Sequence, residues 1–217
     1  MVFTVRGSLP EIIRNDEKLY EGDLIPYFRV VFHNAQNLQN PYHNFRHIFH
    51  VVWLCYQACL FYRDRIPPHY MRNLLIAAIF HDFNHPGLMG DDDLNIARAV
   101  RGLRKYILSQ DVPHVGQIEW LIKTTEYPYK TETSSLQLES QIIRDADMGQ
   151  SLAMAWIQQV IFGLAGEWGK PPIDILKSQI GFLKNLKFYT DWGQNMFPQS
   201  EINAKIKEVE ELIKLLE

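Results

Sequence analysis

Two stretches leave this chain few ways to fold. "HIFHVVWLCYQACLFY" (47–62) and "YMRNLLIAAIF" (70–80) are apolar on nearly every side of a helical wheel. A helix without a polar face belongs at the centre of a bundle, where neighbours cover it all round. Elsewhere apolar residues recur at three- and four-residue steps, and alternating β-branched runs are few. The spacing predicts helices at about 23–37, 44–64, 68–83, 92–109, 112–126, 134–146, 148–166, 172–190 and 200–216. Pro67-Pro68 opens one of these, Pro86-Gly87 closes it, Pro113 opens another and Pro171-Pro172 precedes a third. "EYPYKTETSS" (126–135) has the composition of a loop. The expectation is an all-α bundle of about nine helices, with no repeat or linker to divide residues 1–217 into separate domains.

Bulk properties narrow the function. With 47% hydrophobic and 22% charged residues, the 217-residue chain has material for a sizeable core. A formal charge of −3 argues against a general nucleic-acid binder, whose footprint is basic. The longest apolar run, "LLIAAIF" (74–80), falls well short of the roughly 18 residues that span a membrane. The first residues lack the basic-then-apolar pattern of a signal peptide. Cys55 and Cys59 have no other cysteine to pair with, which fits reduced core thiols in a cytoplasmic protein. Nothing in the sequence sets an oligomeric state.

The chemistry sits where the apolar helices begin and end. "NPYHNFRHIFH" (40–50) holds three of the eight histidines: His43, His47 and His50. Neutral imidazole is the commonest metal ligand, and a buried one left without a partner is costly. The second apolar helix runs directly into "HDFNHPG" (81–87), which carries His81, Asp82 and His85. Further on, "IIRDADMGQS" (142–151) offers Asp147 and, two residues earlier, Asp145. Two imidazoles and two carboxylates make a mixed nitrogen and oxygen site suited to a transition metal. A bridging carboxylate could add a second, more hydrated ion such as Mg²⁺. His33, His69 and His114 stand outside any motif and are expected at the surface, and His50 in a half-buried position. "DDD" (91–93) is expected to be a solvated first helical turn, and Met148 and Trp156 to be core.

The order H…HD…D resembles the ligand order of the HD metal-phosphohydrolase superfamily. The likeness narrows to one branch. "YHNFRH" (42–47), "HDFNHPG", "ADMGQS" (146–151) and "KSQIGFLKNL" (177–186) resemble, in order, four motifs of the class I 3′,5′-cyclic nucleotide phosphodiesterases. That resemblance implies a compact HD-domain bundle that hydrolyses cAMP, cGMP or both to the 5′-monophosphate. It implies two divalent metals, Zn²⁺ at the first site and Mg²⁺ or Mn²⁺ at the second. His47, His81, Asp82 and Asp147 would hold the first ion, with Asp82 bridging to the second. His43 would be the general acid. Tyr42 would flank the substrate, Gln179 would bond the purine edge, and Phe182 would stack on the base. Gln150 stands where the family has an asparagine and would touch the base. His85, Thr125 and Glu126 would support the ligands from behind. An amide that donates and accepts, beside an aromatic face, suits a purine independently of the resemblance.

The chain departs from the family in one respect that bears on mechanism. The glutamate that supports the general acid is expected between Asp82 and Asp147, and no residue there matches it. Two rival functions follow from the same residues: another HD phosphohydrolase, such as a nucleotidase or alarmone hydrolase, or a non-catalytic nucleotide-binding module. The pairing of Gln179 with Phe182 weighs against the first, and the intact ligand set against the second.

Overall fold

The computed structural model describes residues 7–90 and 92–217. It is all-helical, and no strand occurs among the described residues. In chain order the α-helices are α1 (Leu9–Arg14), α2 (Ile25–Asn34), α3 (Phe45–Phe61), α4 (Pro68–Phe80), α5 (Asp92–Tyr106) and α6 (Val115–Thr124). They continue with α7 (Leu138–Met148), α8 (Gly163–Trp168), α9 (Pro172–Asn185), α10 (Asp191–Met196) and α11 (Gln199–Leu216). The nine expected helical ranges are occupied, and α1 and α10 are short additions that a six-residue span hides from periodicity. The range 148–166 is not one helix. It divides into a 3₁₀ turn (Gly149–Leu152), a π-helical turn (Ile157–Phe162) and α8. At Gly149 an added Cβ would lie 2.7 Å from Leu54 Cδ1 and 2.9 Å from Phe197 Cζ, so the chain turns where it packs too closely for a side chain.

α3 and α4 form the centre, as their composition requires. α3 starts where the Asn44 side chain accepts hydrogen bonds from the Arg46 N–H (2.8 Å) and the His47 N–H (3.3 Å). This cap holds His47 in the first turn. From Met71 to Phe80 every residue of α4 is buried. Around the pair packs a first core that takes in Leu24, Tyr27, Ile118, Ile122, Ile142 and Ile143. A second core joins α8, α9 and α11 through residues such as Trp156, Leu164, Leu176 and Val209. The candidate site lies between the two. Among the described residues no helix is long and apolar enough to cross a membrane.

One buried ion pair ties α2, α4 and the α5–α6 connection together. Arg72 donates to Asp111 through Nε (2.7 Å) and Nη2 (2.9 Å), and through Nη1 to the carbonyls of Glu21 and Asp23 (both 2.8 Å). The Tyr27 hydroxyl donates to the same carboxylate at 2.7 Å. Removing one partner of such a pair strands a charge in the interior. Asp111→Ala should therefore cost about 3–5 kcal/mol of stability, measured by denaturant unfolding. A loss below about 1 kcal/mol would mean that water already screens the pair.

Candidate metal centre and cavity

Four motif residues converge at the ends of α3, α4 and α7. His47 Nε2 and His81 Nε2 face each other at 3.3 Å. Asp82 Oδ2 lies 3.2 Å from the first nitrogen and 3.4 Å from the second. Asp147 Oδ1 lies 3.1 Å and 3.8 Å from the same two atoms. Ligands held about 2.0–2.2 Å from one small ion at tetrahedral or octahedral angles stand about 2.8–3.6 Å apart. All but the longest of these separations, His81 to Asp147 at 3.8 Å, fall in that range.

The hydrogen bonds behind the cluster decide which atoms face inward. His81 Nδ1 donates to the Ala78 carbonyl at 2.8 Å. His47 Nδ1 donates to Gln150 Oε1 at 2.6 Å. With both Nδ1 protons committed, two neutral rings would turn lone pairs toward each other. Asp82 Oδ2 is buried and accepts no hydrogen bond. Facing lone pairs and an orphaned carboxylate oxygen are unfavourable together unless a cation lies among them. His47, His81 and Asp82 thus form a buried group that could hold a metal ion.

The cluster's charges act on one another. Burial pushes His47 down, but Tyr42 and the Asp147 and Asp82 carboxylates outweigh it and hold the imidazole well above its usual range. Burial pushes Asp82 up, but the His81 and His47 rings hold it well below the usual carboxylate range. Asp145 faces away. It accepts from the Tyr189 N–H, the Thr190 N–H and the Thr190 hydroxyl, and burial pushes its carboxyl up to about 6. It holds the 189–190 turn that precedes α10.

A cavity of about 570 Å³ opens beside the cluster. Tyr42, His43, His85, Thr125, Gln179 and Phe182 all line it. Gln150 does not. Its amide is spent on His47 and, through Nε2, on Gln159 Oε1 at 2.6 Å. Gln150, expected to touch the base, is instead buried at 2% exposure and holds the His47 imidazole. Met148, expected in the core, is half-buried in the cavity wall. Glu126 pairs with Lys130 and lies outside the lining. Thr125 turns its hydroxyl back to the Ile122 carbonyl at 2.7 Å. Within "DDD", Asp91 lies outside the described residues and Asp93 is an exposed partner of Lys130. Asp92, by contrast, lines the cavity, and burial pushes its carboxyl up. His50 is half-buried, and burial together with the neighbouring His47 pushes it down to about 4. Of the remaining histidines, His33 is exposed, while His69 and His114 lie half-buried against each other with ring centroids 5.7 Å apart.

The acidic partner of His43 comes from an unexpected direction. Glu167, on α8, accepts from His43 Nδ1 at 2.6 Å. It also accepts from the backbone N–H groups of Tyr42 (2.9 Å) and His43 (2.7 Å). Burial pushes Glu167 up, but the His43 ring and these N–H groups more than offset it and hold the carboxyl below its usual range. Two glycines permit the approach. A Cβ on Gly163 would lie 3.0 Å from the Pro41 carbonyl, and one on Gly166 would lie 3.2 Å from Pro41 Cβ. A small-residue step one turn before a glutamate was the available signal, and it is weak. His85 stacks on His43 with centroids 3.6 Å apart. Its Nδ1 accepts from the Gly87 N–H, and burial beside His43 pushes it down to about 4.

A second residue that the motifs do not contain is Asn37. It is buried, and its side chain donates to the His43 carbonyl (2.8 Å) and the Asp82 carbonyl (2.9 Å). It thereby fixes the spacing between the first two motifs. Neither a scan against protein-family models nor a search of curated proteins returned a match to this chain.

The cluster's metal affinity can be read residue by residue. Asp147→Ala should abolish tight binding of a divalent ion, and Asp145→Ala should retain it. Gln150→Leu should weaken binding by about 10–100-fold, the usual cost of losing the group that orients a ligand histidine. Chelator competition on purified protein measures all three. Equal loss in the Asp147 and Asp145 variants would reject the ligand set.

Proposed function

We propose that this chain is a metal-dependent phosphodiesterase of the HD type that converts 3′,5′-cyclic nucleotides to nucleoside 5′-monophosphates. The observation that carries the proposal is convergence. A metal-binding cluster, a histidine–glutamate pair and a Gln–Phe wall all meet at one cavity of nucleotide size. His47, His81, Asp82 and Asp147 would hold the first ion, Zn²⁺, and Asp82 would reach a second, Mg²⁺ or Mn²⁺. Bound there, divalent ions neutralise phosphate charge and lower the pKa of water.

The chain's own residues supply the remainder. Glu167 keeps the His43 Nδ1 proton in place, so Nε2 is the atom left to exchange one. As a water oxygen bonds to phosphorus, loses a proton to solvent and the P–O3′ bond breaks, His43, protonated at Nε2, would give that proton to the departing ribose O3′. The ring is left neutral, with Nδ1–H still on Glu167. On α9, Gln179 and Phe182 lie three residues apart and so share a helix face, and both line the cavity. The amide pairs with the purine edge and the ring covers one base face. Because an amide can present either its donor or its acceptor, both cAMP and cGMP fit this wall.

Proton transfer should appear in kcat. His43→Asn should lower kcat by about 10²–10⁴-fold with metal retained, and Glu167→Gln should lower it in the same direction. Near-normal turnover in His43→Asn would exclude it as the acid.

Base recognition should appear in substrate comparison. Gln179→Ala should weaken kcat/KM for cAMP and cGMP by about 0.5–1.5 kcal/mol per lost hydrogen bond, and Phe182→Ala by about 1–3 kcal/mol. Bis-p-nitrophenyl phosphate, which has no purine, should be hardly affected by either change. Parallel losses on all three substrates would mean that the two residues only support the fold. Turnover of a nucleoside monophosphate, without turnover of either cyclic nucleotide, would favour a nucleotidase.

A further inference from the structure

A second cavity, of about 350 Å³, lies outside the site just described. It is bounded by α5, the end of α2 and the turn after α4. From α5 come Arg98, Arg101 and Lys105. All three are exposed, and none has a carboxylate partner among the described residues. Their neighbours differ. Arg104, on the same helix, pairs with Glu119 at 2.8 Å, Arg72 pairs with Asp111, and Lys130 pairs with Asp93. Lys105 Nζ also lies 4.9 Å from the centroid of the Tyr106 ring in the same wall. In a chain of net charge −3, three cations without a carboxylate partner in one concavity are a local reversal of sign.

The groove's opposite wall is held in shape. Asn84, with φ of 64°, accepts from the Gln36 N–H at 2.8 Å, and its own N–H donates to Asn37 Oδ1 at 3.0 Å. On the helix side, a Cβ on Gly102 would lie 2.3 Å from Phe83, so α5 rests directly on that turn. A wall fixed before binding spares a ligand the cost of ordering it.

Spacing indicates the ligand. Arg98 and Lys105 are seven residues apart, about 10.5 Å along a helix. A single phosphate cannot reach both ends of that row, whereas linked phosphates can. The volume is that of a small-molecule pocket. We propose that this groove binds a small anion carrying two or more linked phosphate groups, held by Arg98, Arg101 and Lys105.

The test uses inorganic tripolyphosphate and orthophosphate, titrated calorimetrically into the metal-loaded chain with Mg²⁺ in excess. Tripolyphosphate should bind wild type with an affinity that falls as salt rises, and orthophosphate should bind at least about tenfold more weakly. The triple variant Arg98→Ala/Arg101→Ala/Lys105→Ala should lose at least about tenfold in affinity for tripolyphosphate. Asp147→Ala, which disables the metal cluster, should keep it. Unchanged binding in the triple variant, or loss of binding in Asp147→Ala, would place the anion elsewhere and overturn the proposal. So would a hexaglutamate peptide that binds as tightly as tripolyphosphate, since the groove would then be a docking surface for acidic protein. None of these outcomes depends on whether the chain hydrolyses cyclic nucleotides.

Discussion

Two imidazole nitrogens 3.3 Å apart inside a buried helix pair are the constraint around which this structure is arranged. Such an approach is tolerable only if every other polar atom nearby is fixed. Gln150 and the Ala78 carbonyl take the outer ring protons, and Asn44 sets the first turn of α3. Asn37 joins the backbones on either side. The apolar bulk of α3 and α4 has a corresponding role. Helices buried on every side have little freedom to slide, so the histidines at their ends keep their separation.

The second core contributes a different kind of precision. α8 carries the carboxylate of Glu167 to the 41–43 segment, through contacts that two glycines make possible. α9 places Gln179 and Phe182 across the cavity from the cluster. The His/Asp cluster thus comes from helices of the first core, Glu167, Gln179 and Phe182 come from helices of the second, and the cavity lies where the two meet.

Electrostatics within the site has one direction. Carboxylates favour protons on the cluster imidazoles and raise both, while the imidazoles hold Asp82 low, so each group favours the charged form of its partner. A divalent ion would displace those protons, and metal affinity should therefore rise with pH. Asp145 illustrates the contrast. It lies two residues from Asp147, yet it serves only the backbone of the 189–190 turn.

Helix type and order were legible in the sequence because an apolar pattern with a 3.6-residue period has few other uses. His47, His81, Asp82 and Asp147 were nominated by the motifs in which they sit, and the fold brings the four together. Three features were not legible. Gln150 looked like a substrate contact because its neighbours match a motif, but burial turned its amide toward His47. The 148–166 segment has helical periodicity throughout, and only the crowding of Gly149 against Leu54 and Phe197 divides it. Glu167 stands 124 residues from His43 in sequence, and no local pattern connects them. Periodicity and motif spacing report on neighbours along the chain. Which carboxylate reaches which imidazole depends on how closely two backbones can approach, and that distance exists only once the helices have packed.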